Sequence, residues 1–327
     1  MKVFRRFFIL AFLSTFLLFG GFLGCKKAEP ATFEKVNIAI QPSAAFIPLY
    51  VARYKGLIEE ALKPLKIDVV WQDFESGPPM KESLEADMTD IGVIGDVPSV
   101  SALAGVSPMK IVGIPAKGAD AYAMLTLKNN KKFNSAYDMK GKKIATIFGS
   151  TGHNFTTKLL AKNNLSFEDI EFISINAGQA EDALVSGLAD AVVIWEPNIT
   201  RLVDTGVAKI VAFGHETDLG GTNAFVVREE YLIKHEIVIK TILEQYYKAV
   251  SFIPELDEQT LSKIAEALNI SPEQVLKIAE KYDFSVTITS EDIASLQDTV
   301  SFLVQIGNLS SQYPVADKIQ NIFTVKK

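Results

Sequence analysis

Residues 84–97 read LEADMTDIGVIGDV, and residues 184–197 read LVSGLADAVVIWEP. At a constant offset of 100 positions, leucine matches leucine, Asp90 matches Asp190 and Asp96 matches Glu196. Two further parallels keep the same order. IAI before QPSAAF matches IATIF before GSTGHNF, and Lys110-Ile-Val matches Lys209-Ile-Val. Each match alone is weak, because buried strands with Asp-led turns recur by chance. Three in one order predict two lobes built on a single plan.

Between these anchors, apolar strand-like runs alternate with helical patterns, the signature of an α/β fold. Strands are expected at residues 36–40, 67–71, 91–94, 110–114, 122–127, 143–148, 170–173 and 191–195, with helices at 47–62, 79–86 and 154–163. From residue 230 onward the chain reads as helical. Ile239, Ile242, Leu243, Tyr246 and Val250 fall on one face at 3.6-residue spacing. Ser271-Pro-Glu-Gln274 and Thr289-Ser-Glu-Asp292 read as capped helix starts.

The first residues carry Lys2, Arg5 and Arg6, followed by an uncharged apolar run over residues 7–23 and Gly24-Cys25. This order describes an export signal over residues 1–24 rather than a fold element. Cys25 is the only cysteine, so it forms no intramolecular disulfide. FLGC resembles a lipoprotein cleavage site with Cys25 as the lipidated residue, although Phe22 stands where leucine is usual. Residues 25–34 then read as a tether. Of 33 Lys+Arg, the three signal cations leave 30 against 39 Asp+Glu, so the exported part carries about −9. That balance argues against nucleic acid, whose phosphates call for a basic surface.

In open α/β sheets, ligands gather at the carboxyl ends of strands. Four turns lie at such ends: Gln41 to Phe46, Gly95-Asp96-Val97-Pro98, Gly149-Ser150-Thr151-Gly152-His153, and Trp195-Glu196-Pro197. The third offers unpaired helix N–H groups, hydroxyls from Ser150 and Thr151, close backbone approach at Gly152, and a ring donor from His153, all suited to an oxyanion. A plain N-cap explains the same residues. Trp195 reads either as a wall for a ligand's body or as a lid on the core, and Glu196 as an acceptor for an amine or hydroxyl. Asp96 has an Asx turn as its alternative, and Phe46 either lines the cleft or packs beneath it. Enzyme signatures are missing: His153, His215 and His235 form no HExxH, and there is no GxSxG elbow or phosphate loop.

The stretches QPSAAFIPLYVARYKGLIEEAL, TDIGVIGDVPSVSALAGV, GKKIATIFGSTGHNF and GLADAVVIWEPN are similar to those of ABC-importer substrate-binding proteins of the sulfonate, taurine and nitrate type. The resemblance covers residues 36–230 and implies a type II periplasmic binding fold, with two α/β lobes joined by crossing segments near 118–127 and 220–227. Lobe I is expected over residues 35–119 and 222–327, and lobe II over 120–221. The resemblance implies a non-enzymatic, monomeric receptor that hands an alkyl- or aminosulfonate to a permease and its ATPase, with no cofactor or metal. The anion would sit at Ser150, Thr151, Gly152 and His153. Cleft position adds Gln41, Phe46, Gly95, Asp96, Trp195, Glu196, Thr222 and Asn223. Nitrate or a nitrogen heterocycle, such as a thiamine or pyrimidine precursor, is the alternative ligand, and an enzyme on the same fold is a further alternative.

Overall fold

The computed structural model describes residues 34–324, so the export signal, Cys25 and the tether up to residue 33 lie outside the described residues. The strands, in chain order, are β1 (Glu34–Ile40), β2 (Ile67–Asp73), β3 (Ile91–Gly95), β4 (Met109–Lys117), β5 (Tyr122–Leu127), β6 (Lys143–Thr146), β7 (Glu171–Ser174), β8 (Ala191–Trp195), β9 (Ala208–Phe213), β10 (Thr222–Arg228) and β11 (Asp283–Phe284). The helices are α1 (Ile47–Tyr54), α2 (Leu57–Leu62), α3 (Gly77–Glu85), α4 (Asp96–Leu103), α5 (Thr151–Lys162), α6 (Ala180–Val185), α7 (Asn198–Asp204), α8 (Glu229–Lys234), α9 (Glu236–Val250), α10 (Glu258–Leu268), α11 (Pro272–Ala279) and α12 (Ser290–Gln305).

The strands form two sheets, ordered β11-β4-β10-β3-β1-β2 and β7-β6-β8-β5-β9. With β11 set aside, and the second order read backwards, β4-β10-β3-β1-β2 overlays β9-β5-β8-β6-β7. β3, β1 and β2 are parallel, as are β8, β6 and β7, whereas β10 and β5 run antiparallel to both of their neighbours. The repeat therefore extends from sequence to topology. Its aspartates do the same job in each lobe. Asp90 accepts the Asn37 amide of β1 at 2.8 Å, and Asp190 accepts the Lys143 amide of β6 at 2.9 Å, each tying the turn before the lobe's central strand to the neighbouring parallel strand.

The chain leaves the first sheet after Lys117, enters the second at Tyr122, and returns between Phe213 and Thr222. The two crossings touch, with the Gly118 amide donating to the Gly221 carbonyl at 3.2 Å. On the first lobe, Val238, Ile239, Ile242, Leu243 and Tyr246 of α9 are buried. Tyr246 also donates to the Pro115 carbonyl at 2.7 Å, so its hydroxyl is not stranded in the core. Among the described residues, no helix is long and apolar enough to cross a membrane.

Several expected elements differ: α5 begins at Thr151 rather than 154, β4 runs on to Lys117, and β11 interrupts the region read as helical. The helix over 47–62 is broken into α1 and α2, because Gly56 adopts a left-handed conformation at φ 65°. The strand over 143–148 stops at Thr146. Ile147 and Phe148 leave the sheet for a turn, and Phe148 is exposed.

Candidate functional site

The carboxyl ends of β1, β3, β6 and β8 converge between the lobes on a small cavity of about 20 Å³. Gln41, Ser43, Gly95, Tyr122, Ser150, Thr151, Trp195 and Asn223 line it, with Gly77, Pro78 and Pro98 closing one side. No lining side chain carries a formal charge. Three helices begin at its wall: Gly77 and Pro78 open α3, Gly95 precedes α4, and Ser150 caps α5. Their positive dipole ends face one space.

The three ends are not equal. Pro78 and Pro98 lack N–H groups, so α3 and α4 offer few donors there. The α5 start has Thr151 and Gly152 and is the richest in free N–H groups. Ser150 accepts the His153 amide at 3.3 Å and donates to the Ile147 carbonyl at 2.7 Å. Thr151 donates to Asp96 at 2.5 Å. Both hydroxyl protons are therefore committed, and α5 meets an anion chiefly through its backbone. Gln41 is 6% exposed, and its side-chain carbonyl oxygen has no partner among the described residues. That oxygen can accept from an amine or hydroxyl on a ligand, not from the oxygens of an anion.

Close approach explains the glycines. A Cβ on Gly95 would lie 2.6 Å from the Thr151 hydroxyl of the opposite lobe. A Cβ on Gly152 would lie 2.7 Å from the Thr146 hydroxyl and 3.3 Å from the Val193 carbonyl. Any side chain at either position would push the lobes apart or lift α5 off its sheet.

Several expected residues sit elsewhere. The Phe46 side chain is fully buried in the apolar core, at the end of a short turn whose residues are all apolar and buried. The His153 ring turns away from the cavity. It packs against Phe148, Phe167, Phe172 and Phe302 at centroid distances of 4.9–5.4 Å. Its Nδ1 accepts the Gly149 amide at 3.3 Å, which leaves the ring proton on Nε2, within the phenylalanine cluster rather than at the cavity, and burial lowers its pKa to about 4. The Thr222 hydroxyl points to Ser295 at 3.5 Å. Gly152 acts as a seat for α5 rather than as a wall.

Asp96 and Glu196, paired by the repeat, both lie behind the cavity and both bridge the lobes. Asp96 accepts from Thr151 of the second lobe and, at 2.8 Å, from Thr299 on α12. Burial raises its pKa, against the opposing effect of those hydroxyls. Glu196 is fully buried, accepts the Thr200 amide at 3.0 Å and hydroxyl at 2.9 Å, and pairs with Lys281 of the first lobe. Ser43, Gly77, Pro78, Pro98 and Tyr122 were not anticipated as lining residues. Ser43 lies within the first turn named from sequence and Pro98 at the end of the second, whereas Tyr122 arrives from a crossing strand and carries no local signal.

Two α/β lobes on one plan, joined by crossing segments with a cavity between their strand ends, define a periplasmic-binding-protein fold. The solved alkanesulfonate-binding protein SsuA of Xanthomonas axonopodis, bound to MOPS, overlays with a TM-score of 0.80 at 24% identity, covering 90% of this chain and 99% of that one. The Escherichia coli periplasmic aliphatic sulphonate-binding protein SsuA gives 0.78 at 21%, covering 90% and 95%. The chain belongs to the NMT1/THI5-like family, whose profile matches residues 43–260. It is 31% identical over 315 residues to a Bacillus subtilis protein named for aliphatic sulfonate binding, covering 95% of this chain and 93% of that relative.

Proposed function

We propose that this chain is the solute-binding component of an ABC importer and that it captures an organic sulfonate between its lobes. One observation carries the reading: three helix N-termini converge on an uncharged cavity, with the donor-rich start of α5 beside Trp195. A sulfonate is a permanent anion at physiological pH, so neutral N–H and amide donors hold it without proton exchange. The names of the relatives point the same way. At about 20 Å³ the cavity has room for a water but not for an organic sulfonate. A sulfonate therefore enters only when the lobes part, and capture is a hinge motion that closes over the ligand.

Trp195 and Tyr122, with ring centroids 6.3 Å apart, give apolar surface for a carbon body. That surface favours an organic sulfonate over bare nitrate. The closed form is the one a permease and its ATPase would recognise, and a lipid on Cys25 would keep the receptor at the cell envelope. Labelled palmitate entering the wild type but not Cys25→Ser would support the anchor, and equal labelling of both would refute it.

The reading is tested by calorimetry of the purified protein with taurine, longer alkanesulfonates, nitrate and nitrogen heterocycles. Saturable one-site heat with sulfonates is expected. Tight binding of nitrate or a heterocycle, with no heat from any sulfonate, would overturn it.

A further inference from the structure

Trp195 borders two spaces. Beyond the inner cavity it also lines an outer chamber of about 470 Å³ at the mouth between the lobes. Glu75 comes to this chamber from the first lobe, and Asn176, Gln179 and Arg201 come from the second. Arg201 is partly buried and forms no ion pair among the described residues. The carboxylates around it are engaged elsewhere or free in solvent. Asp204, one turn along α7, accepts Gln274 at 2.8 Å, Glu196 takes Thr200 and Lys281, and Glu75 is exposed.

With no carboxylate partner among the described residues, the Arg201 guanidinium keeps its planar fork free, and that fork matches a carboxylate bidentately. An exposed carboxylate such as Glu75 binds an amine weakly, because water and salt screen the pair. The stronger selector in the chamber is therefore the cation. We propose that Arg201 is a second anion subsite, and that the preferred ligand is a sulfonate with a carboxylate at its far end. The sulfonate lies against α5, the carbon chain runs past Trp195, and the carboxylate reaches Arg201. This proposal rests on the sulfonate reading above.

The test measures affinity for ω-sulfocarboxylates of increasing length, together with the alkanesulfonates and ω-aminosulfonates of matching length. At one chain length the sulfocarboxylate is expected to bind at least tenfold more tightly than its alkanesulfonate, and Arg201→Gln should bring the two to parity. Parity at every length in the wild type would overturn the subsite while leaving the sulfonate reading intact. So would a gap that survives Arg201→Gln, or an aminosulfonate preference that Glu75→Gln removes. Failure of every sulfonate to bind would instead sink the reading on which the subsite rests, and the subsite with it.

Discussion

His153 sits in a cage of four phenylalanine rings, and that cage sets its chemistry. Protonating the imidazole would place a charge in apolar surroundings, so burial holds its pKa near 4 rather than 6.5. A histidine pKa depressed by folding gives stability that is fully present above the unfolded value. That stability is lost as pH falls from about 6.5 toward 4. At roughly 1.4 kcal/mol per pKa unit, the loss is at most about 3 kcal/mol. His153→Gln keeps an acceptor for the Gly149 amide and cannot titrate. Urea midpoints at pH 7.5 and 4.5 should therefore fall further in the wild type than in the variant, and equal falls would show that His153 does not carry the effect. The sequence placed this ring at the anion because it follows GST directly. What turns it away comes from Phe167, Phe172 and Phe302, none of which is local to the turn.

At the scale of elements, α5 is held in place by the absence of a side chain. Thr146 on β6 donates to the Val193 carbonyl at 2.7 Å, so its hydroxyl cannot yield easily to a Cβ at residue 152. Gly152→Ala must then lift the first turn of α5 from the sheet, an overpacking cost of about 1–3 kcal/mol. Because the same turn supplies the donors, sulfonate affinity should fall more than tenfold in calorimetry. Undiminished affinity would mean that the α5 start does not hold the anion. Elements of this kind were largely legible. The strand at 191–195 matches β8 at both ends, because a strand buried on both faces reads as an unbroken apolar run. Ends governed by turn conformation were less legible, as at Gly56 and Thr146. Gln41, Ser150 and Trp195 could be named because they end or follow such strands. Tyr122 reaches the cavity only through the crossing, which no short window of sequence reveals.

Across the whole molecule, the repeat has placed one buried carboxylate at the end of each lobe's central strand, and each is tied to the other lobe. The sequence matched Asp96 to Glu196 but read them as ligand contacts, since nothing local shows that Thr299 and Lys281 wait opposite. Glu196 takes its two Thr200 bonds from its own lobe, whereas Lys281 comes to it from the other. The prediction is that this cross-lobe pair adds to the closed form, so that ligand affinity includes its contribution. Lys281→Met leaves Glu196 buried beside no cation, the costly half of a broken pair. Since Lys281 is 28% exposed, a loss of about 1–2 kcal/mol is expected, roughly tenfold in Kd. Adding Glu196→Gln removes the stranded charge, so the double variant should bind more tightly than Lys281→Met alone. Small-angle scattering should show the same order in the contraction that ligand induces. If Lys281→Met binds like the wild type, or the double variant is no better than the single, the contact is not a latch.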